Sequence, residues 1–394
     1  MKQHLAVLCG VYYPSPSPTG LCTQRYLSLL QESFDIDVIC ISSAGRPMQA
    51  EENGIRVHAL LGRRMQKERQ GTALTRTAAH VIGGLQMKTS VLGNLAWFCE
   101  QALATLRKLH SKYPVDTVFS VCSPFAAHCA ASQFKQEHPN VHWCAYTVDP
   151  YAADGRIRPL FYGKERLAAY ECGLCACADV LLLSEEVYTA REDLRGSNRD
   201  CRRLPYLLPD CSDAAPSEPS FSKAQINCVY AGRFYPELRN PEPMLKAFHA
   251  LSDPEIRLHL YSTGCEDTVK RYAAQDSRIV LHTPVSHQKI GEIYKSADFL
   301  FNVENSVPEF LPSKLFEYIA ACRPIVSFGS GQSRELLKSH PAALHIPGGE
   351  AAEENLQSFL EANRGVRIPA KEIEARYERH GRSRIRLILL DALR

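Results

Sequence analysis

No run in this sequence approaches the roughly 18 apolar residues that a membrane-spanning helix needs. The N-terminus also lacks the basic region and apolar core of a secretory signal, so a cytoplasmic protein is expected. Charge of one sign is equally scarce. Lys and Arg total 46 against 43 Asp and Glu, and a net charge of +3 gives no global reason to expect a nucleic-acid partner. Cysteine is plentiful, at fifteen, but unframed: the residues are scattered through expected strands and helices rather than set out as in small secreted domains. The densest group, Cys172, Cys175 and Cys177 in E-C-G-L-C-A-C-A-D, has no second pair at zinc-ligand spacing, so reduced, buried helical thiols are expected instead of a metal. What remains is an ordinary globular chain. With 394 residues and 45% of them apolar, it can build two domains, each with its own core.

The most informative stretch runs from Asn305 to Pro324, N-S-V-P-E-F-L-P-S-K-L-F-E-Y-I-A-A-C-R-P. It is expected to be a loop feeding a helix, because Pro312 suits a first helical turn and Leu311, Leu315, Ile319 and Cys322 recur at helical spacing. One face is then core. The other carries Ser313, Lys314 and Glu317, three and four residues apart and hence neighbours near the helix start. Free N–H groups, the positive end of the helix dipole and the Lys314 charge attract an anion there, so Ser313, Lys314 and Leu315 form a candidate diphosphate site. Glu317, one turn in, is placed to accept two hydrogen bonds from a vicinal diol such as a ribose, and together these groups suggest a nucleotide. Glu309, from the preceding loop, is a candidate for the hydroxyls of a sugar beyond the diphosphate.

Glu309 and Glu317, with seven residues between them around P-S-K-L-F-E-Y and followed by A-C-R-P-I-V, resemble the E-x7-E signature of retaining GT-B glycosyltransferases, especially glycosyltransferase family 4. A second segment, Y-A-G-R-F-Y-P-E-L-R-N, resembles the family's Gly-Arg followed six residues later by Lys or Arg. The resemblance implies that Arg233 and Arg239 clamp the donor diphosphate; Arg at the second position, where Lys is commoner, still pairs with phosphate oxygens. It covers most of the chain, strongly in the second half and weakly in the first. The implied fold is α/β, two Rossmann-like doubly wound domains with an interdomain cleft and a C-terminal helix crossing back to the first domain. Residues 1–208 would bind acceptor, 209–370 donor, and 371–394 form the returning helix; the Pro-rich and Ser-rich stretch from Pro205 to Ser222 has linker composition. In the second half strand and helix alternate from Ile226 onward, which implies a parallel sheet. Gly264, Val285 and His287, at strand ends, are expected beside the nucleoside.

The first half opens with strand Leu5 to Cys9, the loop G-V-Y-Y-P-S-P-S-P-T-G and a helix from Cys22 to Leu30, a Rossmann-like start. The resemblance makes Gly20 a diphosphate candidate and Thr19 an acceptor candidate; a plain proline-rich connector is the competing reading. Asp35-Ile36-Asp37 matches the D-x-D of metal-dependent transferases, yet it runs into V-I-C-I within one strand and is expected to be structural. Residues 63–109 turn basic and helical: either an interfacial helix reaching a lipid-linked acceptor at the inner face of the membrane, or a solvated helical pair walling the acceptor cleft. Where family members carry H-x-P, this chain has Cys122-Ser123-Pro124. The missing histidine leaves Asp149, Ser123 and His128 as catalytic candidates.

The expected activity is transfer of a sugar from a nucleotide diphosphate sugar, with UDP favoured, to a hydroxyl of a glycan or lipid-linked glycan. Arg233, Arg239 and Lys314 would neutralise the leaving diphosphate, so neither a metal nor any other cofactor is expected. An epimerase or phosphorylase on the same fold, and a non-catalytic nucleotide-binding partner subunit of a transferase, are the alternatives.

Overall fold

The computed structural model describes residues 2–62, 92, 95–153, 163–216, 220–222, 224–283, 285–306, 314–329, 333–347 and 352–394, the side chains at 287, 288, 352 and 353 aside. The chain divides into two compact units, 1–207 with 382–394, and 208–381.

The first unit is built on eight strands: β1 (Gln3–Tyr13), β2 (Phe34–Ser42), β3 (Met48–Glu52), β4 (Ile55–Leu60), β5 (Thr117–Cys122), β6 (His142–Thr147), β7 (Val180–Leu183) and β8 (Cys201–Arg203). They lie in the order β3-β4-β2-β1-β5-β6-β7-β8. Every pairing is parallel except β3 with β4. Strands covered on both faces must be apolar throughout, and β5 and β7 are buried at every residue. Around them run α1 (Pro18–Ser28), α2 (Ala96–Lys112), α3 (Phe125–Glu137), α4 (Lys164–Cys175), α5 (Glu185–Ala190) and α6 (Glu192–Arg195).

The antiparallel edge strand β3 was not expected. Its M-Q-A-E-E has little strand propensity, and it forms because a tight turn through Asn53-Gly54 folds it back on β4. Residues 185–195 form two helices, α5 and α6, broken where Arg191 leaves helical geometry (φ −114°, ψ 74°) so that its guanidinium can bond Glu171 and Asp193.

Of the basic helical stretch 63–109, residues 63–91 and 93–94 lie outside the described residues. The described part is mainly α2, and both readings offered for the stretch turn on the residues outside it. Phe98, Ala102, Leu103 and Leu106 are buried against Ala127, Ala130 and Phe134 of α3, so its apolar stripe is satisfied by the domain core. Of the D-x-D motif, Asp35 is exposed and pairs with Arg56 Nη1 (2.8 Å), and only Asp37 is internal. Asp37 is buried in β2 and accepts from His4 Nε2 (2.7 Å), His58 Nε2 (2.7 Å) and the Arg56 guanidinium (2.7 Å). Burial works to raise its pKa, but these three donors outweigh it and hold the carboxyl well below the usual carboxylate range.

The second unit holds β9 (Ile226–Arg233), α7 (Glu242–Ala250), β10 (Ile256–Thr263), α8 (Glu266–Gln275), β11 (Ile279–Leu281), α9 (His287–Ser296), β12 (Phe299–Val303), α10 (Lys314–Ala320), β13 (Ile325–Phe328), α11 (Ser333–Leu337), β14 (Ala343–Ile346), α12 (Ala352–Ala362) and α13 (Ala370–Arg376). Its six strands are all parallel, in the order β11-β10-β9-β12-β13-β14. The order reverses beside β9, where a doubly wound sheet places its ligand crevice at the carboxyl ends of the strands.

The tail is not the single long helix expected from residue 371. A 3-10 turn at Glu378–His380 and extended Gly381 separate α13, in the second unit, from α14 (Arg382–Ala392), in the first. The crossing therefore begins at Arg382, eleven residues later than expected. Three bonds anchor α14 and the residue after it: Thr117 Oγ1 donates to Leu393 O (3.0 Å), His142 Nε2 meets Ala392 O (2.9 Å) and Arg386 Nε donates to Leu29 O (3.1 Å).

Candidate functional site

The carboxyl end of β9 gathers most of the cationic groups that the sequence singles out. After Arg233 the chain makes a closed turn in which Tyr235 N–H donates to Arg239 O (3.1 Å) and Arg239 N–H donates to Tyr235 O (2.8 Å). That mutual pair is why a six-residue spacing works: it returns Arg239 to Arg233, whose carbonyl accepts from Arg239 Nη1 (3.4 Å). Ser306 fixes the turn to the end of β12, its N–H donating to Leu238 O (2.8 Å) and its hydroxyl to Glu237 O (2.7 Å). Arg239 Nε donates to Asn305 Oδ1 (3.0 Å).

Lys314, at the start of α10, reaches the same strand end and donates to Ala231 O (3.2 Å). Two residues apart on β9, the Ala231 and Arg233 carbonyls thus anchor an ammonium and a guanidinium side by side. Burial is the main cause that lowers the Lys314 pKa, Glu317 raises it, and repulsion from Arg239 lowers it again, so the net shift is downward. An anion between them would relieve that repulsion. Arg233 is exposed and lies over the Tyr235 ring, 5.3 Å from its centroid, with its head free to meet solvent or ligand. Glu317 is half-buried one turn into α10, on the same side as Lys314, as its effect on that lysine shows.

Several residues in this site were not foreseen. Tyr318 accepts from Ala231 N–H (3.0 Å) and pins α10 to β9. Glu304, buried at the end of β12, accepts from Ser327 Oγ (2.9 Å) and from the Ser333 N–H (3.3 Å) that opens α11. Glu266 accepts from Gly264 N–H (2.7 Å); backbone donors hold its carboxyl low and Arg233 adds to the effect. The available signal was position, since Asn305, Glu304 and Glu266 all follow the carboxyl ends of parallel strands.

The other expected residues divide. Gly264 stands next to the Arg233 turn with φ +81°, and a Cβ there would come within 2.2 Å of Phe234 O. Only glycine fits. Val285 is exposed, just before the Ser286 cap of α9, and His287 is the first residue of that helix. The Leu315 side chain is buried in the core, which leaves only its backbone for a ligand. Glu309 and Ser313 lie outside the described residues.

In the first unit, Ser123 and Asp149 follow the adjacent strands β5 and β6, and the Cys122 thiol donates to Asp149 O (3.5 Å). Ser123 is exposed and Asp149 half-buried. Thr19 sits in the first turn of α1, at the end of neighbouring β1. Two assignments are corrected. Gly20 does not offer its amide to a phosphate, because that N–H donates to the Ser17 cap (3.1 Å); its missing side chain serves packing, since a Cβ would lie 2.0 Å from Val11 O. His128 is wholly buried, with Nδ1 against Ser120 Oγ (2.8 Å) and Nε2 against Thr147 Oγ1 (3.2 Å), and burial pushes its pKa down to about 3. It is a core histidine. Among the described residues no group of three or more His, Cys, Asp or Glu is arranged to hold a metal ion. None of the fifteen cysteines is in a disulfide.

Residues 225–362 match the family model described as glycosyl transferases group 1. No curated protein matches the chain in sequence. Among solved structures, the chain resembles sucrose-phosphate synthase from Thermosynechococcus elongatus (15% identity, TM-score 0.71, covering 99% of this chain and 98% of that one). It also resembles HepE of Anabaena in complex with UDP (13% identity, TM-score 0.65, 99% of each chain). A third is an α,α-trehalose-phosphate synthase (UDP-forming) from Burkholderia xenovorans in complex with glucose-6-phosphate (13% identity, TM-score 0.66, 99% of each chain). At these identities the likeness establishes the fold, a pair of Rossmann-like α/β domains.

Proposed function

We propose, taking residues 225–362 as a domain of the group 1 glycosyl transferases, that the protein transfers a sugar from a nucleotide diphosphate sugar to an acceptor hydroxyl. The observation that carries this reading is the meeting of Arg233, Arg239 and Lys314 at the end of β9, with Glu317 one turn beyond. Three cations suit a diphosphate and the carboxylate suits its ribose. UDP is the favoured nucleotide, supported by the UDP-containing complex of the Anabaena protein.

In the reaction the bond from the sugar's anomeric carbon to the diphosphate oxygen breaks, and its electron pair goes to the departing phosphate. The acceptor oxygen bonds the same face of that carbon and passes its proton to the leaving phosphate oxygen, so configuration is retained. Arg233, Arg239 and Lys314 stabilise the charge that grows on the phosphate, which makes a metal ion unnecessary; one such preorganised donor is worth about 3 kcal/mol. Thr19, Ser123 and Asp149, at the carboxyl ends of β1, β5 and β6, are the groups offered to the acceptor, which we take to be a glycan or lipid-linked glycan hydroxyl.

One observation favours a second reading, a nucleotide-binding partner subunit without activity of its own. Cys122 is buried and cannot take the part of a substrate-facing histidine. The test is incubation with labelled UDP- and GDP-sugars, with and without an acceptor extract. Release of nucleoside diphosphate only when acceptor is present supports the transferase; saturable UDP binding with no turnover supports the subunit; failure to bind either nucleotide defeats both.

A further inference from the structure

The parallel sheet of the second unit has a second edge, at the amino ends of its strands, and a cavity of about 470 Å³ opens there. Its wall takes Lys295 from the end of α9, Asp298 from before β12, Arg323 from before β13, Arg364 and Arg367 from the turn after α12, and Asp213 from the incoming linker. Four cations therefore face two carboxylates. Both carboxylates are already engaged: Asp213 accepts from Ala370 N–H (3.0 Å), and Asp298 from Asn227 N–H (2.9 Å) and from Arg367 Nη2 (3.1 Å). Lys295 and Arg364 have partners at the surface, Glu292 (2.9 Å) and Glu255 (3.3 Å), in pairs exposed enough to be weak.

Arg323 is the telling member. It is 1% exposed, and its guanidinium is held by backbone carbonyls alone: Nη1 donates to Ala321 O (3.1 Å) and Cys322 O (3.1 Å), and Nη2 to Lys295 O (2.6 Å). Its Nε has no partner. Carbonyls satisfy N–H groups but do not cancel a charge, and an uncompensated buried cation is costly. Burial and the nearby Arg367 accordingly depress its pKa to about 10. The Ser220 hydroxyl, in a residue whose N–H donates to Ser296 Oγ (3.3 Å) on the cavity wall, is also buried without a partner. The unspent Arg323 donor and a surplus of positive charge in one small cavity are what an anion site looks like.

We propose that this cavity binds a small phosphate-bearing molecule, at a site separate from the donor diphosphate site at the opposite edge of the same sheet. Phosphate fits better than a single carboxylate because its several oxygens can meet more than one of the lining cations Arg323, Arg364 and Arg367. The volume exceeds that of the bare ion and falls in the range of small-ligand pockets, roughly 300–1,000 Å³, which leaves room for an organic group. The site lies at the far end of α10: Arg323 follows that helix as Lys314 begins it.

The test is calorimetric titration of inorganic phosphate at low salt into Arg233→Ala protein, whose donor diphosphate site is disabled. One saturable site is expected, weakened at least about 10-fold by adding Arg364→Ala and Arg367→Ala together. Both residues are solvent-accessible, so folding should survive, and circular dichroism checks that it does; Arg323→Ala, in the interior, is avoided for that reason. In the background with Arg233 intact, the Arg364→Ala and Arg367→Ala protein should bind UDP as the unmodified protein does. Absence of saturable phosphate binding, phosphate affinity unchanged by the paired substitution, or loss of UDP affinity caused by it would each overturn the proposal. If Arg233→Ala itself leaves UDP binding intact, the donor-site reading fails while the phosphate comparison still decides this one.

Discussion

At the scale of single residues, burial decides which polar groups can act on a ligand. His128 has both nitrogens bonded inside the core, so its loss should be felt in stability alone. His128→Ala is expected to cost about 3 kcal/mol through a cavity and the lost buried bonds to Ser120 and Thr147. Urea titration measures the cost, and UDP affinity should stay within about twofold. The Asp37 network makes a pH prediction of definite sign. Burial lowers the His4 pKa, but its bond to Asp37 more than compensates, so the folded value is raised. Its contribution is then fully present below the unfolded pKa of about 6.5 and is lost as pH rises through the folded value. Between pH 6 and 8 the protein should lose urea stability relative to Asp37→Asn, which lacks the partner; parallel curves would refute the assignment. Neither burial was readable from sequence. A histidine one turn into a helix looks the same whether it faces a cleft or the sheet, and D-I-D gives no sign that His4 and His58 come from adjoining strands to meet it.

At the scale of elements, the alternation of apolar runs and helical periods located nearly every strand, because a strand buried on both faces leaves little freedom in composition. What escaped was set by turns. The edge strand β3 exists through the Asn53-Gly54 turn, and the tail changes direction at Gly381, where Ile373, Tyr377, Ile385 and Leu389 suggested one continuous helical face. Gly20 was noticed for its place in the loop but assigned the wrong work. Gly20→Ala should destabilise the first unit by about 2 kcal/mol, since the new methyl meets the Val11 carbonyl; a thermal melt tests this, and an unchanged midpoint would mean α1 can move aside. The α14 anchor predicts that truncation after Gly381 weakens the first unit as well, exposing β5 and β6 amides to exchange where Thr117 and His142 held the last residues.

At the scale of the molecule, the two α/β units were legible because each repeats strand and helix, and the cations of the proposed donor site were legible because charge and spacing speak without a structure. Arg239 and Lys314 meet at the end of β9 beside Arg233, and the sequence could not have shown how: by a turn that bonds to itself and by two carbonyls of one strand. The acceptor half stayed obscure, since hydroxyl groups can be met by almost any polar side chain. Because only the second unit holds these cations, UDP at a hundred times its dissociation constant should stabilise the protein by about 2.7 kcal/mol. Hydrogen exchange should show the gain in β9 and α10 and not in β5. The most direct measurement is UDP affinity by calorimetry for the unmodified protein and for Arg239→Ala and Lys314→Ala. Each substitution is predicted to weaken binding about 100-fold, near 2.7 kcal/mol, whereas affinities within about twofold of the unmodified protein would contradict a diphosphate held at the end of β9.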